Sequence, residues 1–366
     1  MQQLTKLLEF LEDKIDVEHA KDVEKLQIDN LNYKKTARLC MRVNFPANTE
    51  FKGYPLEETH QDMAKMMFNE LLGCLCPVII KDTSIPMIRA NYGVGTLPSA
   101  FGLKSFILNG NMPWVEHVSK DKLKEIVSMG VPDWQTGYGK RVTETYEFYN
   151  EVLSKYPKCR EVIHIYHPDF QGPLDVAHLM YGSDIYMDMY EDPDFVHELL
   201  NLVTLTYIDR MKRILPLIGN KYEDYNAHWC HLYPGKITLR NDSAVNLSKD
   251  MYIEFAKKYD DMIYEQFGRA SMHFCGRADH WVFEMAKSEN ILGLNFGYMP
   301  DKFNGQDYLD FINDGIIKNK KAVMGYQLTK QEFDKMDFEK YSTGISYNIN
   351  AENEDEAKKI VNKYCR

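Results

Sequence analysis

Residues 270–276, with the sequence Ala-Ser-Met-His-Phe-Cys-Gly, are the most informative part of this 366-residue chain. The first five residues are typical of a β-strand, His273 and Cys275 fall at its end, and Gly276 favours a sharp turn there. Side chains two positions apart on a strand point to the same side of a sheet, so His273 and Cys275 should project together, away from Phe274. A converging imidazole and thiolate supply half of a tetrahedral zinc site, although a core histidine and a buried cysteine would give the same pattern.

Around this stretch, short β-rich runs alternate with longer amphipathic helical patterns, which is typical of repeated βα units. Strands are predicted at Leu39–Phe45, Val78–Asp82, Glu161–Tyr166, Lys236–Arg240, Ala270–Phe274, Ile291–Asn295, Ala322–Gly325 and Gly344–Ile349. The clearest helices are predicted at Asp192–Leu217, Leu247–Phe267 and Asn353–Tyr364. Eight such units predict an α/β protein with a closed (β/α)8 TIM barrel, because an open doubly wound sheet usually has a Gly-rich turn after its first strand and none is present. In a barrel, catalytic groups gather at the C-terminal ends of the strands, where His273 and Cys275 fall.

The first 35 residues form a separate helical pattern. Apolar residues recur there at helical spacing, at Leu4, Leu7, Leu8, Leu11 and Ile15. We therefore divide the chain into an N-terminal helical extension, residues 1–35, and a barrel, residues 36–366. The extension could be an outer helix of the barrel or an arm that grips a second subunit.

The composition of the chain indicates which classes of partner it binds and in which cellular compartment it works. The net charge of -10 argues against nucleic acid or an anionic membrane as the main partner. The N-terminus lacks the apolar core of a signal peptide, and the longest apolar stretch, residues 71–80, is too short to span a bilayer. Seven cysteines without framework spacing are typical of reduced thiols. We expect a cytoplasmic protein that acts on a small molecule.

Asp242 is the next candidate, since it follows the predicted strand Lys236–Arg240 and should lie at the same end as His273. A carboxylate there could bind a metal, orient His273 or act as a general base, or it could simply cap a turn. We predict Asp242 and His273 as catalytic residues. Five further residues from strand ends and loops are predicted to bind substrate: Asn91, Tyr92, Tyr166, His228 and Arg240.

Three segments carry a resemblance to a known family. They are His-Phe-Cys-Gly at 273–276, Gly-Pro-Leu at 172–174 with Gly182 and Asp188, and Asn-Asp-Ser at 241–243 with Asn-Leu-Ser at 246–248. Over residues 160–300 the chain resembles the uroporphyrinogen decarboxylase superfamily, and more narrowly its cobalamin-dependent methyltransferase branch, which has His-x-Cys-Gly at this place. The resemblance implies the barrel, a zinc ion on His273 and Cys275, and a corrinoid, free or on a partner protein, as methyl carrier. Relatives also imply a homodimer.

Two departures from the family pattern matter. Decarboxylases proper have a second arginine four residues after their Met-Arg pair, but here Met41-Arg42 is followed by Pro46, which disfavours a porphyrinogen substrate. The methyltransferases have a third cysteine ligand where this chain has Ile345, which cannot bind metal. A remaining ligand would have to come from elsewhere, with His228-Trp229-Cys230-His231 as one candidate and Cys365 as another if the tail folds over the barrel mouth.

These observations lead to one favoured function and two alternatives. The favoured function is a zinc-assisted transfer of a methyl group between a corrinoid and a thiol or a small methyl donor. The first alternative is a metal-free carboxy-lyase in which Asp242 and an arginine stabilise charge on an intermediate. The second is a non-catalytic subunit that binds a corrinoid protein, since the missing cysteine leaves the zinc site incomplete.

Overall fold

The protein is an α/β structure in which twelve strands are assigned within the described residues. The computed structural model describes residues 1–107, 110, 113–299 and 305–366. The strands are β1 Cys40–Asn44, β2 Met87–Arg89, β3 Ser105–Phe106, β4 Trp114–Val115, β5 His164–Tyr166, β6 Tyr225–His228, β7 His231–Pro234, β8 Thr238–Arg240, β9 Ala270–Cys275, β10 Ile291–Gly297, β11 Ala322–Leu328 and β12 Ile345–Asn350.

Eight of these strands pair in parallel, in two groups. Six form one sheet in the order β1-β12-β11-β10-β9-β8, and β2 pairs with β5. In the described part of the chain no backbone ladder joins β1 to β2 or β5 to β8. Near these two seams other hydrogen bonds link the strands to neighbouring loops. Val43 N in β1 donates at 2.8 Å to Oδ2 of Asp82, which lies in the loop before β2, and Thr238 N in β8 donates at 3.3 Å to Nε2 of His167, which follows β5. The α/β class and the parallel sheet are confirmed, whereas the residues that the structure describes do not form a closed eight-stranded ladder.

Helices surround the parallel strands. The α-helices are α1 Gln2–Lys14, α2 Val17–Leu31, α3 Leu56–Gln61, α4 Met63–Leu72, α5 Leu75–Ile80, α6 Lys120–Met129, α7 Gly139–Leu153, α8 Pro157–Val162, α9 Pro173–Tyr181, α10 Asp184–Glu191, α11 Pro193–Ile218, α12 Lys249–Tyr252, α13 Lys258–Phe267, α14 Val282–Ala286, α15 Gln306–Ile312, α16 Lys330–Lys335 and α17 Glu354–Tyr364. Short 3-10 helices span Pro98–Phe101 and Asp242–Asn246, and π-helical turns span Ile253–Lys257 and Asn313–Ile317. Within the described residues, no helix has the length and apolar character that crossing a membrane requires.

The predicted long helices are present with nearly the expected ends. Ser248 caps the helix that runs through α12 and α13, because its hydroxyl accepts from Met251 N, and Gly268 ends that helix with a φ of 82°. The N-terminal pattern forms two helices rather than one. Asp16 separates them, since its carboxylate accepts from His19 N at 3.1 Å and starts α2. The apolar stripe of α1 is buried in the same core as the sheet.

The prediction of a strand at Val78–Asp82 is wrong. This stretch lies largely in the buried helix α5, and the second parallel strand is Met87–Arg89. A short apolar run without clear periodicity fits a buried strand and a buried helix equally well, so the pattern could not separate them. For the same reason Glu161–Tyr166 is only half a strand: its first residues belong to α8, and the strand begins at His164.

The hairpin formed by β6 and β7 was not predicted. Strands β6 and β7 pair antiparallel around Trp229 and Cys230, which have φ angles of 41° and 68°. Two successive positive φ angles are typical of a type I′ turn, which normally contains Asn or Gly, so this sequence gave no turn signal. The hairpin lies against the inner strands, with β7 in contact with β9, β10 and β11. We call residues 225–234 the inner hairpin.

Candidate metal centre

Three potential ligands meet where β8 and β9 end. Asp242, His273 and Cys275 each offer one ligand atom, and these atoms all lie within 4.8 Å of one another. His273 Nε2 lies 3.4 Å from Asp242 Oδ1 and 3.6 Å from Cys275 Sγ. His273 is buried, while Cys275 is exposed at the end of its strand. The period-2 expectation for His273 and Cys275 is therefore met, and Asp242 joins them to form the site that we call the triad.

The neighbouring strand β10 fixes the orientation of His273. Asn295 lies opposite His273 in the ladder, and its Oδ1 lies 2.6 Å from His273 Nδ1. The amide is itself oriented, because Asn295 Nδ2 donates to the carbonyl of Met324 at 2.5 Å. Its oxygen must then accept, so His273 Nδ1 carries a proton and Nε2 presents its lone pair to the other two triad atoms.

Asp242 is held from two sides. Its Oδ1 accepts from Cys275 N at 2.6 Å, which ties it to the end of β9. Its own backbone N, and that of Ser243, donate to the two carboxylate oxygens of Asp175 at 2.8 and 2.6 Å. Asp175 comes from α9 and thereby anchors the first turn of the 3-10 helix that carries Asp242.

Burial and the charge of Asp242 shift the pKa values of the groups around it. Burial lowers the pKa of His273 more than the Asp242 carboxylate raises it. Partial burial, together with the charge of Asp242, raises the pKa of the Cys275 thiol to about 12. Burial and the same charge raise the pKa of Asp175 to about 7. A neutral imidazole is the form that binds a metal, and a bound cation would reverse the shift at the thiol.

The triad fits a zinc ion. With ligand bonds of about 2.0–2.3 Å, tetrahedral zinc places its ligand atoms about 3.3–3.8 Å apart. The two separations from His273 Nε2, 3.4 Å to Asp242 Oδ1 and 3.6 Å to Cys275 Sγ, fall in this range. A set of one nitrogen, one sulfur and one oxygen suits zinc, and three protein ligands leave the fourth position for a substrate, as in catalytic zinc sites.

The tip of the inner hairpin forms one side of the site. The Trp229 ring lies 4.5 Å from the His273 ring, and the Arg240 guanidinium lies 5.0 Å from the same indole. Arg240 also pairs with Asp169 and donates to His228 Nε2 at 3.0 Å. Burial, followed by the charge of Arg89, lowers the pKa of Arg240 to about 9.

Three of the predicted substrate-binding residues, Tyr166, His228 and Arg240, contact one another beside the tip of the inner hairpin. Tyr166 and His228 contact each other edge to face at 5.0 Å, and His228 contacts Arg240. The other two lie elsewhere: Asn91 donates to Glu70 Oε1 at 2.9 Å, and the buried Tyr92 hydroxyl pairs with Thr145. For all five, substrate binding stays a prediction.

The alternative metal ligands are not part of the triad. His231 Nε2 donates to Asn348 Oδ1 at 2.8 Å, on the far side of the hairpin turn from His228. Cys365 is buried beside Thr83, and Ile345 is buried at the start of β12. The third potential ligand beside His273 and Cys275 is Asp242.

Comparison with known proteins finds structural matches but no sequence match. No family model matches the chain, and no curated protein matches it by sequence. The fold resembles that of a methyltransferase. A solved structure described as a methyltransferase from Methanosarcina mazei superposes with a TM-score of 0.62 over 93% of this chain and 97% of that chain, at 15% sequence identity. At this identity the match shows a shared fold alone.

Sequence reasoning missed three residues of the site. Asn295 was inside a predicted strand, but its contact with His273 depends on the register between β9 and β10. Asp175 follows the quoted Gly-Pro-Leu segment, and the only available signal was its position in the first turn of a helix. Trp229 was noted only within a candidate ligand run, since nothing in the sequence indicates the hairpin.

Proposed function

We propose that the protein is a metal-dependent methyltransferase whose metal is held by Asp242, His273 and Cys275. The observation that carries the proposal is the convergence of an oxygen, a nitrogen and a sulfur at the strand ends, with His273 Nε2 at zinc-like separations from the other two atoms. The shared fold with a methyltransferase supports the reaction class. A zinc ion bound there would supply positive charge that keeps a substrate thiol as a thiolate at neutral pH.

The protein's own residues have defined parts in this proposal. Asn295 keeps the proton of His273 on Nδ1, so that Nε2 is available as a ligand. Asp175 holds Asp242 in place through two backbone hydrogen bonds. Cys275 is exposed, so the site is open to solvent and to a substrate. Catalysis would then consist mainly of positioning a nucleophile against a methyl carbon.

We further propose, on the resemblance of residues 160–300, that the chain belongs to the uroporphyrinogen decarboxylase superfamily and takes its methyl group from a corrinoid or passes it to one. On this view the two parallel groups are parts of one (β/α)8 barrel with seams at β1/β2 and β5/β8, preceded by the helical extension 1–35. The free state of all seven cysteines fits the cytoplasm that we expect. A homodimer and a corrinoid-protein partner belong to the same proposal.

Elemental analysis of the purified protein tests the metal. We expect about one zinc per chain, lost in Asp242→Ala, His273→Ala and Cys275→Ala but kept in Cys76→Ala, a matched control whose Sγ lies near Phe45 O. A metal-free wild type that does not bind added zinc would reject the proposal and favour the carboxy-lyase alternative.

Turnover is tested separately with methylcobalamin and a small thiol. We expect the absorbance of methylcobalamin to fall only with protein that contains metal, and not with Cys275→Ala. The protein could instead bind metal, fail to react with any methyl donor or acceptor, and still retain a corrinoid protein on a column. That result would favour the alternative of a non-catalytic subunit that binds a corrinoid protein.

A further inference from the structure

A large cleft lies at the opposite end of the strands from the triad. It has a volume of about 1050 Å³ and is bordered by the segments that lead into β8, β9 and β10. Lys236 precedes β8, Arg269 precedes β9, and Leu292 lies at the start of β10. We call it the base cleft. Its size is at the upper end of the range for small-molecule sites, about 300–1,000 Å³.

The base cleft is cationic, unlike the chain as a whole. Its basic side chains are Lys212, Lys236, Arg269 and Lys320. Its acidic side chains are Glu223 and Asp224. In the whole chain acidic residues outnumber basic ones, 54 to 44, so the local excess of positive charge is not a result of composition. Lysine and arginine are the usual ligands of phosphate groups.

Most of this positive charge faces neutral groups. Lys212 donates to the amide oxygen of Gln266 at 2.6 Å, and the Lys320 ammonium lies 4.4 Å from the centre of the Tyr33 ring. Lys236 faces the carboxylate of Glu223 only loosely, at 3.9 Å. Among the described residues Arg269 has no ion pair. An anion could therefore enter without displacing a strong internal partner.

The backbone around the base cleft is also unusual. Tyr33 and Lys320, which contact each other across it, have φ angles of 57° and 60°. Non-glycine residues in this region of backbone conformation are strained and are found preferentially at ligand-binding and switch sites.

The inner hairpin connects the base cleft to the metal centre. Tyr225 and Pro234, the first and last residues of the hairpin, line the cleft. Its tip carries Trp229, whose ring lies 4.5 Å from the ring of His273. One continuous, hydrogen-bonded element thus touches both sites.

We propose that the base cleft binds a phosphate-bearing organic anion of nucleotide size, and that the inner hairpin transmits its binding to the metal centre. The proposal stands on the cleft, its cationic side chains and the path of the hairpin, and it concerns a site separate from the triad. Binding at the cleft does not require the proposed methyl transfer to be correct.

Calorimetric titration of the full-length protein with ATP, in magnesium-free buffer, tests binding. We expect saturable binding that weakens with added salt, because the cleft is open to solvent. Lys236→Glu combined with Arg269→Glu should weaken it by about tenfold or more. Lys6→Glu, the same charge reversal on an exposed position of α1, should leave it unchanged. Adenosine that binds as well as ATP, or a double variant that binds like the wild type, would overturn the proposal.

Two further measurements separate this proposal from the function proposed above. In metal-free protein, where no zinc can be coupled to the anion, Cys275→Ser should bind ATP like the wild type, and a loss of binding would place the anion at the triad instead. With the free zinc concentration fixed by a metal buffer, because ATP itself chelates zinc, saturating ATP should change the dissociation constant of zinc at the triad in the wild type but not in the Lys236→Glu, Arg269→Glu variant. If ATP leaves the dissociation constant of zinc unchanged in the wild type, the inner hairpin does not transmit anion binding to the metal centre.

Discussion

His273 Nδ1 donates to Asn295 Oδ1 at 2.6 Å, and the two residues lie side by side on paired strands. This contact decides which nitrogen of His273 faces the triad. The amide cannot rotate freely, because its NH2 group donates to Met324 O. A residue outside the ligand set therefore prepares the histidine for metal binding.

Asn295→Ala should weaken zinc binding by about 10–100-fold, the usual effect of removing such a partner. The reason is that the imidazole would lose the acceptor that keeps its proton on Nδ1. Competition with a chromogenic chelator measures the dissociation constant. Asn348→Ala is a matched control, since it removes an equivalent amide partner from His231, which is outside the triad. Equal zinc affinity in Asn295→Ala and the wild type would contradict this role.

The rate of alkylation should report the protonation state of the Cys275 thiol. It is the exposed member of the seven cysteines, and its thiol has a pKa of about 12. Because the thiolate reacts, metal-free protein should label slowly with iodoacetamide at neutral pH, with a rate that rises about tenfold per pH unit. Asp242→Asn removes a charge that raises this pKa, so labelling should become faster, as mass spectrometry of the Cys275 peptide would show. Cys76 provides an internal control, and fast labelling of wild-type Cys275 at neutral pH would refute the assignment.

A buried carboxylate far from the triad should make stability depend on pH. Burial acts to raise the pKa of Glu24, but hydrogen bonds from His164, Lys221 and Tyr222 outweigh it and hold the pKa at about 2. The ordinary value is 4.5. Since the folded value is the lower one, Glu24 stabilises the fold above about pH 4.5, and this contribution is lost as the pH falls towards 2.

Glu24→Gln should therefore lower the free energy of unfolding at pH 7 by about 2–3 kcal/mol, and by progressively less below pH 4.5. Urea unfolding of wild type and variant at several pH values measures this difference. Glu18→Gln, on the same helix but with an exposed side chain, should have little effect. A difference that stays constant from pH 7 to pH 3 would show that Glu24 acts through packing rather than charge.

Local periodicity was enough to predict part of the site. His273 and Cys275 converge because alternate side chains on one strand share a face, which is a property of that strand alone. Asn295 requires the register of a second strand, and Asp175 requires the packing of α9 against the 3-10 helix at Asp242. Neither relationship is encoded within a window of neighbouring residues.

The errors in the fold prediction have similar causes. Residues 75–80 are uniformly apolar, so the sequence has no periodicity that distinguishes a helix from a strand. In the structure they form the helix α5, which is packed among the surrounding elements. The inner hairpin turns at Trp229 and Cys230, where the backbone is held at positive φ by tertiary contacts rather than by a turn-forming residue. One such contact is the hydrogen bond from Ile85 N to Cys230 O at 2.8 Å.

Arg240 was predicted to bind substrate, but its buried contacts also predict a role in stability. Its guanidinium pairs with Asp169 and is almost fully buried. Arg240→Met would leave the Asp169 carboxylate with its weaker partners, Gln171 and the Arg89 guanidinium at 3.5 Å. Breaking one half of a buried pair typically costs about 3–5 kcal/mol, because the remaining charge stays desolvated.

A double-mutant cycle separates the two roles of Arg240. The combined variant Arg240→Met, Asp169→Leu should lose less stability than the sum of the single variants, by about 1–3 kcal/mol, since neither charge is then left alone. Arg213→Met, which breaks an exposed contact with Asp209, should cost less than about 1 kcal/mol. If Arg240→Met unfolds at the same urea concentration as the wild type, the pair does not stabilise the fold, and Arg240 is held in the interior for substrate alone.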